Sequence, residues 1–232
     1  MKRRLARICA RWGLDEAAVG SLASLVEALD RDPHAPTAVR DAAQALDAHV
    51  ADSLVALELP YVRGARAVAD LGAGPGFPGL ALAAALPQAR VWAVESAGRK
   101  CDYLHRAVAA AGLGNVEVVH ARAEEWHDGL GRCDLVTARA LAALPVVAEY
   151  AAPLLQPEGV LVAWKGRRDA AEEADAAAAA RALGLEVEEV LRVEPFAGAR
   201  DRHLHVLRKT SPTPDRFPRR AGMAAKRPLA AP

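Results

Sequence analysis

The residues best equipped for chemistry are concentrated in Asp70-Leu-Gly72-Ala-Gly74-Pro-Gly76-Phe-Pro-Gly79, an acid followed by glycines at alternate positions. The stretch lies between a strand pattern and a helix pattern, the context in which closely spaced glycines let backbone approach a ligand. An acid directly beneath such a loop disfavours a pyrophosphate. It favours instead the ammonium and sulfonium charges of S-adenosylmethionine. The glycines also satisfy a dinucleotide pattern when read from Gly74, and a ligand-free turn is the bland alternative. The position of Asp70 and the run of glycines directly after it favour the sulfonium cofactor, with Asp70, Gly72 and Gly74 as its contacts.

Further candidates sit at the ends of successive strand patterns. Glu95 closes the second and fits a ribose diol, an assignment common to both nucleotide classes. Glu124 follows the third and is placed to line an adenine pocket. Arg139 comes just after the fourth and Lys165 ends the fifth, at the edge where open α/β sheets do their chemistry. These two cations are the expected catalytic pair, contacting a base edge or a phosphate. Trp164 beside Lys165 reads as core rather than as a stacking platform.

Other chemistries lack their residues. No N-P-P-Y-type segment follows the fourth strand, which argues against methylation of an exocyclic adenine amine. Cys133 lies at the wrong end of that strand, and Cys101 inside a helix, for a nucleophile of the 5-methylcytosine kind. Cys9, Cys101 and Cys133 have neither paired nor metal-like spacing and read as buried thiols in a reducing compartment. The histidines have no metal-ligand spacing, so no metal is expected.

These positions require a sheet. Strand patterns cover Ala67–Leu71, Arg90–Glu95, Val116–His120, Asp134–Ala138 and Gly159–Trp164. Helical patterns cover Gly79–Leu86, Arg99–Ala111, Leu144–Leu155 and Ala170–Leu183. Two further strands, Leu185–Val193 and His203–Lys209, are too close together for a helix between them and form an antiparallel hairpin. The expected fold is α/β: a Rossmann-like, class I methyltransferase sheet of seven mostly parallel strands. The organisation expected is a helical layer over 1–59 packed on a core domain over 60–210, then a tail over 211–232. Within the layer a third helix runs through Ala42, Leu46, His49, Val50, Leu54 and Leu57.

A hydrophobic content of 52% excludes a disordered chain. No apolar run reaches bilayer length and no signal-like core follows the basic N-terminus, so a cytoplasmic protein without a membrane partner is expected, and with no spare apolar seam a monomer. Net charge is +1 but unevenly placed. Lys2, Arg3, Arg4, Arg7 and Arg11 open the chain, and the tail carries Arg216, Arg219, Arg220, Lys226 and Arg227. Basic ends suit a polyanion, though solvated termini look the same on charge alone.

Across nearly its whole length the chain resembles the RsmG (GidB) family. The matching segments are His49-Val-Ala-Asp52-Ser53-Leu54, Asp70 through Gly79 with its Phe-Pro-Gly extension, and Glu95-Ser96 with Arg99-Lys100 and Tyr103-Leu104. They continue with Arg122-Ala-Glu124, Thr137-Ala-Arg139-Ala140, Lys165-Gly166 and Phe217-Pro218-Arg219-Arg220 with Lys226. An Asn-rich segment typical of the family is reduced here to Ala35-Pro36-Thr37. The resemblance implies methylation of N7 of one guanine in 16S ribosomal RNA or the small ribosomal subunit. It implies cofactor contacts at Gly72, Phe77, Glu95, Ser96, Ala97, Ala123, Glu124 and Arg139. Arg99, Lys100, Arg219, Arg220 and Lys226 would hold the RNA backbone. The rival readings are a methyltransferase for a small metabolite or protein, and a ribosome-binding module without catalysis; cofactor binding and free-guanosine assays separate them.

Overall fold

The computed structural model describes residues 1–39 and 41–231. Seven strands, β1 (Ala67–Leu71), β2 (Arg90–Glu95), β3 (Val116–His120), β4 (Cys133–Arg139), β5 (Leu155–Lys165), β6 (Leu185–Arg192) and β7 (His203–Lys209), form one sheet in the order β3-β2-β1-β4-β5-β7-β6. β1 to β5 are parallel, whereas β7 runs antiparallel to β5 and β6. The strand order reverses direction between β1 and β4. That reversal opens a crevice at the carboxyl ends, where Leu71, Glu95 and Arg139 emerge.

Strand periodicity sorts the side chains between two cores. Val68, Val91, Leu135, Val162 and Trp164 face helices α1 (Lys2–Arg11), α2 (Glu16–Arg31), α6 (Gly79–Ala85) and α7 (Gly98–Ala111). Ala69, Trp92, Val136, Leu161 and Leu207 face α8 (Leu144–Ala151) and α9 (Ala170–Leu183). Leu5, Cys9, Leu22, Leu25 and Leu29 of the first two helices share the former core with sheet residues, so the N-terminal layer closes one face of the sheet.

Three elements depart from the sequence expectation. α8 stops at Ala151 rather than Leu155, because Pro153 has no N–H to continue the ladder. β5 begins at Leu155 rather than Gly159: Leu155 pairs with Cys133, and a register shift follows, near Glu158 at φ 65. The expected third helix is broken into α3 (Ala42–Ala45), a π turn (Leu46–Ala51), α4 (Asp52–Leu54) and a 3-10 turn (Val55–Glu58), followed by α5 (Pro60–Arg63). The wide turn carries His49 and leads straight into Asp52, and such turns often serve sites.

The tail is a packed strap. Phe217 enters the second core, the Arg219 guanidinium grips the Glu149 carboxylate through Nε and Nη2, and the Gly222 N–H donates to Glu124 Oε1 at 2.8 Å. A short helix, α10 (Met223–Lys226), follows, and the Ala231 N–H donates to Asp175.

Candidate active site

The glycine loop is built from beneath. Asp70 pairs in register with Thr137 of β4, which brings their side chains together on one face. Thr137 Oγ1 donates to Asp70 Oδ1 at 2.8 Å, and the Gly79 N–H donates to Oδ2 at 3.0 Å. α6 has no cap from its own N-cap residue, so Asp70 serves as its acceptor from the neighbouring strand. The carboxyl is 1% exposed, and burial pushes its pKa up to about 6 against the pull of Thr137, Gly79 and Arg139. Each Asp70 oxygen thus accepts one hydrogen bond, and the carboxyl ties β1 to β4 and to the start of α6 beneath the loop. A Cβ at Gly79 would stand 2.6 Å from Asp70 Cβ, so glycine is required there for close packing.

Glu95 is where the expected ribose acid should be. Its Oε2 accepts the Gly74 N–H at 3.1 Å and its Oε1 the Ala97 N–H at 2.9 Å, so the acid clamps loop and β2 end together. Lys100 Nζ approaches Oε2 at 3.8 Å. Each carboxylate oxygen retains acceptor capacity beyond these single bonds. Gly74 leaves open space, since a Cβ there would meet only the Gly72 carbonyl at 3.6 Å. A buried acid beside an open glycine turn at the switch point fits the nucleoside part of S-adenosylmethionine. Ser96 and Ala97 follow Glu95 on the same rim, Ser96 exposed. Ala123 and Glu124 form a 3-10 turn beyond β3. Glu124 is buried, and one oxygen is already taken by the tail.

A cavity of about 530 Å³ adjoins the loop, bounded by Gly72, Phe77, His49, Asp52, Arg139 and Lys165 among others. Arg139 is fastened on three sides by the N-terminal layer. Nη1 donates to the Ala48 carbonyl at 2.7 Å and to Asp52 Oδ2 at 2.9 Å, and Nη2 donates to His49 Nδ1 at 3.0 Å. An acceptor Nδ1 puts the proton of neutral His49 on Nε2, which lies 3.0 Å from Thr37 Oγ1. Burial first, then the Arg139 charge, lowers the His49 pKa to about 4. His49 stacks on Phe77 at 5.0 Å between ring centroids, joining the layer to the glycine loop. Ala140, at φ 54, makes a strained turn immediately after Arg139.

The two expected cations differ in their surroundings because they differ in strand parity. Arg139 shares the face of Leu135 and Thr137, toward the N-terminal layer. Lys165 shares the face of Leu161 and Ala163, and its Nζ lies 2.6 Å from Glu172 on α9. Trp164 is buried, as expected, and donates Nε1–H to the Asp52 carbonyl at 2.7 Å.

Of the expected backbone-binding residues, Arg99, Arg220 and Lys226 are exposed, and Lys100 is drawn toward Glu95. Arg219 is corrected: its guanidinium is committed to Glu149, which is 1% exposed. At the other end Arg4 and Arg11 pair with Asp47 and Glu58 of the layer. The sequence reading gave no role to Thr37, Thr137 or Arg202. It named His49 and Asp52 only in a motif. Their spacing of three on one helical turn, opposite a strand-end arginine, was the signal available. Among the described residues no cluster holds a metal and no helix is long and apolar enough to cross a membrane.

This sheet, its order and the glycine–acid edge define a Rossmann-like, S-adenosylmethionine-dependent methyltransferase of class I. The antibiotic-resistance methyltransferase Kmr superimposes with a TM-score of 0.52 at 22% identity, over 64% of this chain and 88% of that one. The chain belongs to the GidB family, rRNA small subunit methyltransferase G, whose model matches residues 30–205. It is 44% identical over 187 residues to the ribosomal RNA small subunit methyltransferase G of Rubrobacter xylanophilus, covering 78% of this chain and 72% of that protein. The protein of that name from Chloroflexus aggregans is 40% identical over 198 residues, covering 83% and 82%.

Proposed function

We propose that this chain transfers a methyl group from S-adenosylmethionine to N7 of a guanine in 16S ribosomal RNA, in the cytoplasm. The observation that carries this reading is the cavity between the glycine loop and the N-terminal layer, in a chain of this family. Its volume is in the range of small-molecule sites and admits a base turned out of its stack. Relatives bearing the ribosomal RNA name support the substrate class.

S-adenosylmethionine, when bound, supplies an electrophilic methyl group. The glycine turn held by Asp70, and Glu95 behind it, hold the nucleoside. Guanine N7 carries an in-plane lone pair and no proton, so the chain need supply no base. That suits a neutral imidazole engaged at both nitrogens. The protein's work is alignment and exclusion of water. Methylation leaves a cationic base, and uncompensated cationic walls would oppose that charge as it develops. Arg139 and Lys165 are each compensated, by Asp52 and by Glu172, while still lining the cavity. Arg139, whose Nε–H makes no hydrogen bond among the described residues, remains the candidate donor to guanine O6. Exposed Arg99, Arg220 and Lys226 supply phosphate contacts, which position rather than specify.

The test is incubation with ribosomal RNA and methyl-labelled cofactor, followed by mapping of the labelled base. Label on N7 of one guanine is expected. Label on another atom, or on free guanosine as readily as on RNA, would refute the reading.

A further inference from the structure

Among buried side-chain nitrogens and oxygens of the described residues, Asp52 Oδ1 has no hydrogen-bond partner. Asp52 is 6% exposed and borders the cavity beside the glycine loop. Its other oxygen is held by Arg139, which fixes how the carboxylate is turned. A second cation, Arg202 Nε, stands 3.6 Å from Oδ1, beyond hydrogen-bond length, and its side chain is 43% exposed. A buried carboxylate oxygen without a donor is costly, so an N–H that reaches it as the Arg202 side chain gives way gains more than a bond at the open surface would.

The strand order says which donor. Gly72 follows β1, Arg139 ends β4, Lys165 ends β5 and Arg202 immediately precedes β7, so these four span neighbouring strands β1-β4-β5-β7. At about 4.8 Å per strand the cofactor loop and Arg202 are roughly 14 Å apart. Oδ2 faces Arg139, on the loop side, and Oδ1 faces Arg202, on the far side. A guanine with N7 toward the loop turns its opposite edge, N1–H and the 2-amino group, toward β7. Both groups on that edge are donors, and adenine offers an acceptor at N1 in the same place.

We infer that Asp52 Oδ1 reads the target base, accepting a hydrogen bond from N1–H or the 2-amino group of guanine. This rests on the N7 reading above and adds base selection at a position outside the glycine loop. Arg139 is then the positioning residue that aims the carboxylate.

The test compares the wild type with Asp52→Asn on ribosomal RNA carrying guanine, inosine or 2-aminopurine at the mapped position. Inosine lacks the 2-amino donor and 2-aminopurine lacks the N1 donor. Asn can keep the bond from Arg139 through its carbonyl and then presents N–H to the base. Asp52→Asn should lower kcat/KM on guanine RNA about 10- to 100-fold, with S-adenosylmethionine affinity unchanged within about threefold. The wild type should lose a similar factor on at least one analogue, and the variant should show no such penalty on that analogue. Equal penalties in wild type and variant would overturn the inference, as would a wild type indifferent to both analogues. If Asp52→Asn does not fold by circular dichroism, the two analogue ratios of the wild type decide alone. A wild type that labels no guanine N7 refutes the parent reading, and the inference falls with it.

Discussion

Replacing Asp70 by Asn should make the protein's stability less dependent on pH. In the folded chain the Asp70 carboxyl is buried and its pKa lies at about 6, against 3.8 for the free group. A folded pKa above the unfolded one means that the folded state holds the proton more tightly. The stabilisation is therefore complete below pH 3.8 and disappears as pH rises through about 6. Over the whole window the difference amounts to about 3 kcal/mol, of which about 1.4 kcal/mol falls between pH 5 and pH 8. Asn can reproduce the contacts: its oxygen accepts the Gly79 N–H, and its amide donates to Thr137 Oγ1, whose hydroxyl turns to the Ala69 carbonyl, 3.5 Å away. Urea unfolding of both proteins at pH 5 and pH 8 isolates this residue, since every other carboxylate is common to the pair. The stability of the variant relative to the wild type should be about 1.4 kcal/mol higher at pH 8 than at pH 5. A relative stability that does not change with pH would refute the account of Asp70 as a buried, reluctantly charged acceptor.

Arg139→Ala leaves the Ala48 carbonyl, His49 Nδ1 and Asp52 Oδ2 without their donor and should destabilise by about 3 kcal/mol or more, read by urea unfolding. In that variant the His49 pKa should rise from about 4, because one of its two depressing causes is removed; imidazole NMR titration reads this. Gly79→Ala forces a methyl against Asp70 Cβ and should cost about 1–3 kcal/mol together with S-adenosylmethionine affinity, measured by thermal melting and calorimetry. Glu149→Gln weakens the Arg219 anchor, so limited proteolysis should cut the 211–231 strap faster than in the wild type.

Sheet and crevice were legible because their signals are local: apolar runs of strand length, glycines after an acid, and a hairpin gap too short for a helix. Periodicity also carried the difference between Arg139 and Lys165, since adjacent strand ends of opposite parity must face opposite layers. Taking both as equivalent cations ignored that alternation. The break in the third helix was not legible, because Leu46, His49, Val50 and Leu54 keep helical spacing across the π turn. The commitments of Arg219 and Glu124 were hidden for another reason. Their partners lie 70 and 98 residues away in sequence, and charge counting cannot distinguish a guanidinium gripping a buried acid from one reaching for phosphate. The place of Asp70 at a strand end was legible and its bonds to Thr137 and Gly79 were not, because sequence shows which residue follows a strand and not what is packed above it.

The two appended segments bear on the same sheet edge from opposite faces, and each completes a charge that the sheet leaves open. From one side the N-terminal layer brings the Ala48 carbonyl, His49 and Asp52 to Arg139. From the other, the strap brings Gly222 to Glu124 and Arg219 to Glu149. Without the layer, Arg139 would face solvent and the cavity would lose His49 and Asp52 from its wall. Without the strap, Glu124 would lose a backbone donor beside the expected adenine pocket. The sheet therefore supplies a site for the cofactor, and the parts of the chain outside it supply the shape and charge of the space where a second molecule must lie. Selectivity for that molecule should follow substitutions at His49, Asp52 and Arg202 more closely than substitutions at Asp70 or Glu95, because the former border the cavity and the latter hold the cofactor turn.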